Sequence, residues 1–389
     1  MVKRKNIFFT LTTVIGFAVS LILFPACNSK GAQSKTGDQQ LREIKIGVIL
    51  PLTGNFASYG QMSLKGIQLA VKKWQQEKKN FEIKLIVEND LSTTIGAVNS
   101  TKKLLDIEKT PIIIGGIASS IALAIGPITE DSKVLFMCAF ASSPRLADAG
   151  KYFFKIMPSD AFQSILLVKW FKELKYQKVG IVHVLSEWGE ALKSNFENEF
   201  TFQKGQIVFI EGCNEGQKDF KEIISKLKKK KNEIDVIFSP TYPKEGGSFL
   251  KQLKEMKINL PIFGADPWAN GEIINIAGDS ADGAKFLAPM QYEGPEYQKF
   301  KNAFVEEYKV DPDLTAGAGY DSADILILAI NNLIIANSEV NSDNLKSELL
   351  KMDNYIGVTG KAKFDDKGNV ISKEFGKRVI RNGKIEKYD

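Results

Sequence analysis

The chain reads GGIASS at residues 115–120 and AFASSP at residues 139–144, each directly after a short apolar run with the composition of a buried strand. The first stretch leads into the apolar segment 121–128, which predicts a helix that Ser119 would cap. Ligands of open α/β sheets bind beyond the carboxyl ends of the strands, so we expect Ser119 and Ser142 to form one polar floor that favours an anion. The alternative is that both serines only cap helices.

The rest of the chain alternates short apolar strands with longer helical patterns. Strand composition at 44–50 and 81–87 alternates with helical spacing at 60–78 and 93–107, and a second series of this kind runs from 178 to 263. Such alternation is typical of parallel sheets with right-handed crossovers. Two series of similar size predict an α/β protein with two similar lobes.

The N-terminus has the form of an export signal. A basic start at residues 3–5 precedes an apolar run from 7 to 24, and a small residue at 26 stands directly before Cys27. This arrangement resembles the lipid attachment site of bacterial lipoproteins. We expect a signal peptide of residues 1–26, then a lipidated Cys27 and a flexible tether over 27–43. The alternative is an uncleaved membrane anchor, since the apolar run is long for a signal peptide.

Charge and cysteine content argue against several classes of protein. Without residues 1–26 the chain has 49 basic and 46 acidic residues, and this net charge of +3 gives no reason to expect nucleic-acid binding. Apart from Cys27, the chain contains Cys138 and Cys213, which have no metal-binding spacing. We expect two free, buried thiols, with a disulfide as the alternative.

The sequence also offers little to an enzyme. His183 is the single histidine and lies inside a β pattern, so no Ser-His-Asp or Cys-His pair can be built without it. The glycines at 115 and 116 lack the full dinucleotide fingerprint, and no phosphate-binding loop is present, so no cofactor is expected. We therefore predict that the chain is not an enzyme. An extracytoplasmic hydrolase that uses two carboxylates is the alternative from a different class.

Six motifs in order resemble the branched-chain amino-acid binding proteins of ABC importers. They are IGV leading to PLTG at 46–54, YG at 59–60, the two strand ends quoted above, WG at 188–189, and YIGVTG at 355–360 followed by FD at 364–365. The resemblance runs from residue 44 to about 381. It implies the periplasmic binding protein type 1 fold, in which two Rossmann-like lobes with parallel sheets are joined by a hinge and close over a ligand. Lobe 1 would comprise 44–157 and 285–340, and lobe 2 would comprise 158–284 and 341–389.

The resemblance further implies a ligand site. Ser119 and Ser142 match positions that hold a ligand carboxylate, and the backbone around Phe140 matches a position that receives an ammonium. Asp266 falls where the family places an acid for that ammonium, although an aspartate before a proline can simply start a turn. A zwitterion needs hydrogen-bond donors for its carboxylate and an acceptor for its ammonium, and charge-assisted hydrogen bonds of this kind are strong.

Aromatic residues would form the walls of this site. Tyr59 and Trp188 match aromatic wall positions of the family, and Tyr242 sits at a matching strand end in the second lobe. Phe140 stands where the branched-chain binders have a small residue, and Trp188 replaces a tyrosine. Specificity for leucine-like side chains is therefore open, because relatives also bind amides, urea or aromatic acids.

Taken together, these features predict a lipid-anchored, extracytoplasmic solute-binding protein. It would capture an amino acid or a similar small polar ligand and deliver it, as a monomer, to the permease subunits of an ABC importer. The alternative binding module is a sensor subunit of the same fold that binds amides, urea or aromatic acids and passes lobe closure to a signalling partner.

Overall fold

Two separate β-sheets, each covered by helices, form the framework of the molecule. The structure is a computed structural model that describes residues 42–77, 81–289 and 294–389. The predicted signal peptide, Cys27 and the tether up to residue 41 lie outside the described residues.

The regular elements follow one another in the predicted alternation. The strands are β1 Arg42–Leu50, β2 Phe81–Asn89, β3 Ile112–Gly115, β4 Leu135–Cys138, β5 Phe153–Lys155, β6 Lys178–Val184, β7 Gln206–Cys213, β8 Val236–Phe238, β9 Ile262–Phe263, β10 Lys285–Pro289, β11 Tyr355–Gly357, β12 Gly360–Ala362, β13 Phe375–Arg381 and β14 Lys384–Lys387. The α-helices are α1 Ala57–Glu77, α2 Thr94–Lys102, α3 Ser119–Asp131, α4 Asp160–Glu173, α5 Glu187–Phe202, α6 Lys221–Lys230, α7 Pro243–Glu255, α8 Glu272–Ala277, α9 Pro295–Tyr308, α10 Leu314–Ile335 and α11 Ser342–Lys351.

The two sheets share one strand order. The first sheet is parallel throughout and runs β2-β1-β3-β4-β5. The second runs β14-β13-β10-β9-β8-β6-β7, so its parallel part repeats the same order and a terminal hairpin extends it. Central strands such as β3 and β4 are apolar at every position, because helices cover both faces of a parallel sheet. The prediction of two similar α/β lobes is confirmed.

The boundaries between the lobes differ from the predicted ones in two places. Strand β10 pairs with β9 and β13 in the second sheet, although the prediction assigned it to lobe 1. Helix α11 and the β11–β12 hairpin pack on the core of the first lobe, although the prediction assigned them to lobe 2. Leu345 and Leu349 bury the apolar face of α11 there. The hydrophobic pattern shows that these segments are buried but not which core they join.

Helix α10 is the central helix of the first lobe. Its length and hydropathy would allow it to cross a membrane, but most of its residues are buried in the core beside α1 and the first sheet. The two cysteines among the described residues lie in different cores, Cys138 at the end of β4 and Cys213 at the end of β7, and both are free. The expectation of two free, buried thiols is confirmed.

A buried ion pair ties α10 to the segment that leads into β13. Asp321 on α10 accepts hydrogen bonds from the backbone N–H groups of Val358 at 2.7 Å and Thr359 at 2.9 Å. Its carboxylate lies 3.5 Å from the Nζ of Lys373, and the exposed fractions of the two side chains are 0% and 1%. Burial lowers the pKa of Lys373, and the charge of Asp321 opposes that shift. Both charges of this pair are therefore supplied by side chains of the protein.

Candidate functional site

The predicted ligand-binding residues lie beyond the carboxyl ends of strands, where the two sheets face each other. Tyr59 follows β1 at the start of α1, Ser119 follows β3, and Phe140 and Ser142 follow β4. In the second lobe, Trp188, Tyr242 and Asp266 follow β6, β8 and β9. Tyr242 is half-buried and the other six are buried. The strand order reverses at β1 and at β6, which is where open α/β sheets bind ligands.

Ser119 lies at the start of α3 on the floor of the first lobe. It is the first helical residue and follows Ala118, so the prediction that its hydroxyl caps the helix is wrong. Instead its Oγ accepts a hydrogen bond from the backbone N–H of Ser143 at 3.3 Å. Gly116 permits the sharp exit from β3, because its φ of +74° is one that larger residues rarely adopt. The N-terminus of a 13-residue helix beside this hydroxyl favours a negative group.

Ser142 makes two hydrogen bonds within the protein, both to Asp160. Its hydroxyl donates to Oδ2 of Asp160 at 3.1 Å, and its carbonyl accepts from the Asp160 backbone N–H at 3.0 Å. Burial raises the pKa of Asp160 well above its usual range, and the charge of Asp266 adds to that shift, while Lys155 and hydrogen bonds from Ser142 and Trp188 oppose it. While Asp160 is ionised, the Ser142 hydroxyl gives its proton to that carboxylate and has only lone pairs left for a further partner.

Asp266 is a buried acid held by a neutral partner. It starts the short helical turn after β9, is 2% exposed, and accepts a hydrogen bond from the Nε2 of Gln163 at 2.8 Å. Burial raises the pKa of Asp266 from 3.8 to about 6, and the Gln163 hydrogen bond partly opposes that rise. A positive group placed beside this carboxylate would relieve the cost of burying its charge.

Aromatic rings line the site from both lobes. In the second lobe, Trp188 stacks on Tyr242 with ring centroids 5.0 Å apart and 25° between the ring planes. Phe56 of the first lobe meets the same tyrosine edge-on at 4.9 Å. Phe140 is buried with its ring 5.9 Å from that of Tyr59, so its bulk does occupy space beside the floor.

Direct hydrogen bonds join the two lobes around these rings. The hydroxyl of Tyr59 donates to the carbonyl of Pro267 at 3.2 Å, and Lys244 Nζ donates to the carbonyl of Asn55 at 2.9 Å. At another point of the seam, Ser143 donates to the carboxylate of Glu187 at 2.9 Å. The lobes are therefore in the closed arrangement, which accounts for the burial of the site residues.

Sequence reasoning missed three members of this site: Phe56, Asp160 and Gln163. Phe56 lies in a turn, and nothing in the sequence of that turn indicates that its ring would line a cleft. Asp160 and Gln163 lie on the first turn of α4. The signal that could have identified them is a group of polar residues on the buried face of that helix. Asp160, Gln163 and Ser164 are all buried at one end of a helix whose other buried residues are mainly apolar. Such a cluster needs the structure to show what it faces.

The chain matches a family model described as periplasmic binding protein over residues 43–376. The chain belongs to the periplasmic binding protein family. Its relatives include the leucine-specific-binding protein of Salmonella typhimurium, which is 27% identical over 342 residues, or 86% of this chain and 90% of that protein.

Solved structures of periplasmic binding proteins share the fold. A branched-chain amino acid transporter substrate-binding protein from Streptococcus pneumoniae, in complex with isoleucine, superposes with a TM-score of 0.81 at 26% identity and covers 89% of this chain and 98% of its own. A solute-binding protein from Rhodopseudomonas palustris in complex with 3,4-dihydroxybenzoic acid has a TM-score of 0.79, covers 88% and 95%, and at 22% identity shows the fold alone.

These comparisons confirm the family, the two-lobe fold and the solute-binding function that the sequence predicts. The family also supports an extracytoplasmic place for this binding protein. The roles of the individual site residues stay predictions.

Proposed function

We propose that this periplasmic binding protein captures an α-amino acid between its lobes for an ABC importer. The observation that carries the proposal is that one lobe presents groups that favour an anion and the other presents a buried carboxylate that favours a cation. The first lobe offers the N-terminus of α3 with the Ser119 hydroxyl, and the second lobe offers the buried carboxylate of Asp266. A zwitterion needs both, so it stabilises the closed arrangement and an ion of one sign does not.

We infer from the contacts of Ser142 that it lies on the ammonium side of such a ligand. With Asp160 ionised, the hydroxyl proton of Ser142 goes to that carboxylate, and the Ser142 oxygen accepts from a ligand N–H. The carboxylate is then held by Ser119 and by backbone N–H groups at the start of α3. This modifies the role that the family resemblance implied for the Ser142 hydroxyl and leaves the role of Ser119 as it was.

Buried acceptor atoms support a ligand with several N–H donors. Among the described residues, Oδ1 of Asp160 and Oε1 of Gln163 are buried and have no hydrogen-bond partner. Buried polar atoms in folded proteins are nearly always satisfied, by protein, water or ligand. A primary ammonium supplies three donors, enough for Asp266 and for neighbouring oxygens as well.

A thermal-shift screen of the protein tests this proposal. The screen contains L-leucine, L-isoleucine, L-valine and other amino acids, with acetamide, urea and benzoate as probes of the alternatives. A ligand that binds only the folded state raises Tm with concentration. We expect shifts from zwitterions. Shifts from benzoate or amides alone would remove the role given to Asp266 and leave the cleft as a binding site.

Aromatic acids are the second candidate ligands, and the rings of the site favour them. Trp188, Tyr242 and Phe56 form one group of rings and Phe140 and Tyr59 another, and a flat ring could stack on either group. A sensor subunit with such a ligand would share every feature of the fold. Neighbouring genes for permease and ATPase subunits would favour transport over sensing.

Lipid attachment at Cys27 would hold this protein, as a monomer, near its permease. The support is the sequence of residues 1–27, with its basic start, apolar run and following cysteine. Cells that express Cys27→Ser should yield protein without label after growth with a radioactive fatty acid, and the unmodified chain should carry the label. Labelled Cys27→Ser protein would show that the lipid is attached elsewhere or that the signal is of another kind.

A further inference from the structure

The turn between β1 and α1 forms one edge of the closed cleft, and we call residues 52–56 the lip. The lip meets the second lobe at two points. The carbonyl of Asn55 accepts a hydrogen bond from Lys244 at 2.9 Å, and the ring of Phe56 packs on that of Tyr242. Immediately after the lip, Ser58 donates to Glu272 at 3.2 Å. Closure of this side of the cleft therefore depends on where the lip stands.

A second loop of the first lobe holds the lip in place. The side chain of Asn89 accepts from the backbone N–H of Leu52 at 3.0 Å and donates to the Thr53 hydroxyl at 2.9 Å. The hydroxyl of Ser92 donates to the carbonyl of Thr53 at 2.8 Å and accepts from the backbone N–H of Phe56 at 3.0 Å. Ser92 thus bridges both ends of the lip through a single oxygen atom.

The backbone of this loop is strained. Leu91 and Ser92 both have a φ of +58°, a left-handed conformation that costs free energy in any residue with a Cβ. The conformation is fixed by Asp90, whose buried carboxylate accepts from the Ser92 N–H at 2.7 Å, and by Asn89, which accepts from the Leu91 N–H at 2.9 Å. Strain of this kind persists where the surrounding contacts define it, and it concentrates in ligand clamps and switch regions.

We propose that Ser92 is a positioning residue that holds the lip in its closed-state conformation and so slows release of the ligand. The proposal rests on the proposed function, because it assigns Ser92 to the same cleft. The hydrogen bonds of the Ser92 hydroxyl go to the lip backbone, at Thr53 and Phe56. Without this hydroxyl, the lip keeps its bonds to Asn89 but loses those at the Thr53 carbonyl and the Phe56 N–H, so its closed-state conformation is less stable and the cleft opens faster.

Ser100 offers a matched control for Ser92. Its hydroxyl donates to the carbonyl of Asn89 at 3.2 Å, so Ser100→Ala also removes one hydroxyl from the same region but leaves both bonds to the lip. Leu91→Gly is the second control, since it relieves the left-handed strain and keeps the Ser92 hydroxyl. All variants are made in the full chain, solubilised in detergent.

The first measurement is the release of L-leucine in stopped flow. Two net hydrogen bonds to the lip are at stake, so Ser92→Ala should release L-leucine about three- to tenfold faster with little change in the association rate. Ser100→Ala and Leu91→Gly should release it at about the wild-type rate. Equal release rates for Ser92→Ala and Ser100→Ala would overturn the proposal.

The second measurement, hydrogen exchange followed by mass spectrometry, needs no ligand. If Ser92 acts on closure, Ser92→Ala should speed exchange across the cleft as well, in the second-lobe segments 184–189, 239–246 and 264–272. Faster exchange confined to 50–60 and 89–93 would mean a purely local structural role and would overturn the proposal. If L-leucine does not bind, the best amino acid from the thermal-shift screen replaces it. If no amino acid binds, the assignment of ligand class fails, and the exchange result still decides the role of Ser92.

Discussion

Asp266 and Asp321 are both buried carboxylates, but among the described residues a cation pairs with Asp321 and none pairs with Asp266. Asp321 has Lys373 at 3.5 Å and two backbone N–H groups. Asp266 has the neutral amide of Gln163 as its hydrogen-bond partner, and burial raises its pKa to about 6. The first arrangement holds a crossing between lobes together. The second leaves the acid best satisfied when a positive group arrives from outside.

If Asp266 binds the ligand as proposed, the difference shows how to separate structural from ligand-binding acids in a periplasmic binding protein. Burial and polarity are alike at the two sites, so neither identifies the function. The deciding quantity is the charge balance around the carboxylate. Substitution should therefore lower stability at Asp321 and lower ligand affinity at Asp266.

The largest effect on stability is expected at the ion pair of Asp321 and Lys373. Asp321→Ala leaves Lys373 buried without its counter-charge, so the free energy of unfolding should fall by about 3–5 kcal/mol. Urea unfolding followed by circular dichroism measures it. The double variant Asp321→Leu with Lys373→Met removes both charges and should be clearly more stable than Asp321→Ala. Equal losses in the two variants would mean that the ion pair matters less than the hydrogen bonds of Asp321.

A smaller effect, on affinity instead of stability, is expected at Asp266. Asp266→Ala should weaken binding of an amine-bearing ligand by about 2–3 kcal/mol, the scale of losing a charged hydrogen-bond partner. The free energy of unfolding without ligand should not fall by a comparable amount, because the removed charge is costly to bury. Isothermal titration with the best amino acid from the screen measures the affinity, with Asp266→Asn as the variant of equal size. Unchanged affinity would exclude the ammonium role.

The pH dependence of binding should follow the same carboxyl. An ammonium requires the ionised form of Asp266, and the pKa of this group in the free protein is about 6. Affinity should be constant above that pH and should fall by up to about tenfold per pH unit below it, because binding must then displace a proton. Stability of the unliganded protein has the opposite sign. A raised pKa means that the folded state binds more protons between pH 6 and 3.8, so this group favours folding as pH falls through that window.

Titration of binding against pH in wild type and Asp266→Asn separates this group from other acids. The asparagine variant should lose the inflection near pH 6. An inflection that survives the substitution would assign the proton to another buried carboxyl, such as Asp160, whose pKa is also raised by burial.

The smallest effect is expected at Ser142. Ser142→Ala removes one acceptor for the ligand and the bond to Asp160, so affinity should fall by about 1 kcal/mol, less than at Asp266. The same titration measures it, and Ser119→Ala provides the comparison on the carboxylate side. A loss at Ser142 as large as that at Asp266 would mean that Ser142, and not Asp266, is the main anchor.

Much of the fold could be predicted from the sequence, because strand and helix periodicity are local signals. The strand ends that carry Ser119, Ser142 and Asp266 are where the alternation placed them. Which lobe receives β10 or α11 could not be predicted, since that depends on pairing between distant segments. The partner to which a hydroxyl donates its proton also cannot be predicted from the local sequence pattern. The sequence predicts that Ser142 donates to a ligand, whereas in the structure its hydroxyl donates to Asp160, 18 residues away.

The discontinuous make-up of both lobes has a consequence for export. The core of the first lobe needs Ile330 of α10 and Val370, and the second sheet is completed by β13 and β14 at the chain end. A polypeptide is synthesised from its N-terminus, so neither lobe can fold completely until nearly the whole chain has been made. Contacts between residues so distant in sequence also form slowly. The architecture thus keeps the chain unfolded while it crosses a secretion channel. The native state can form only when almost the whole chain has crossed.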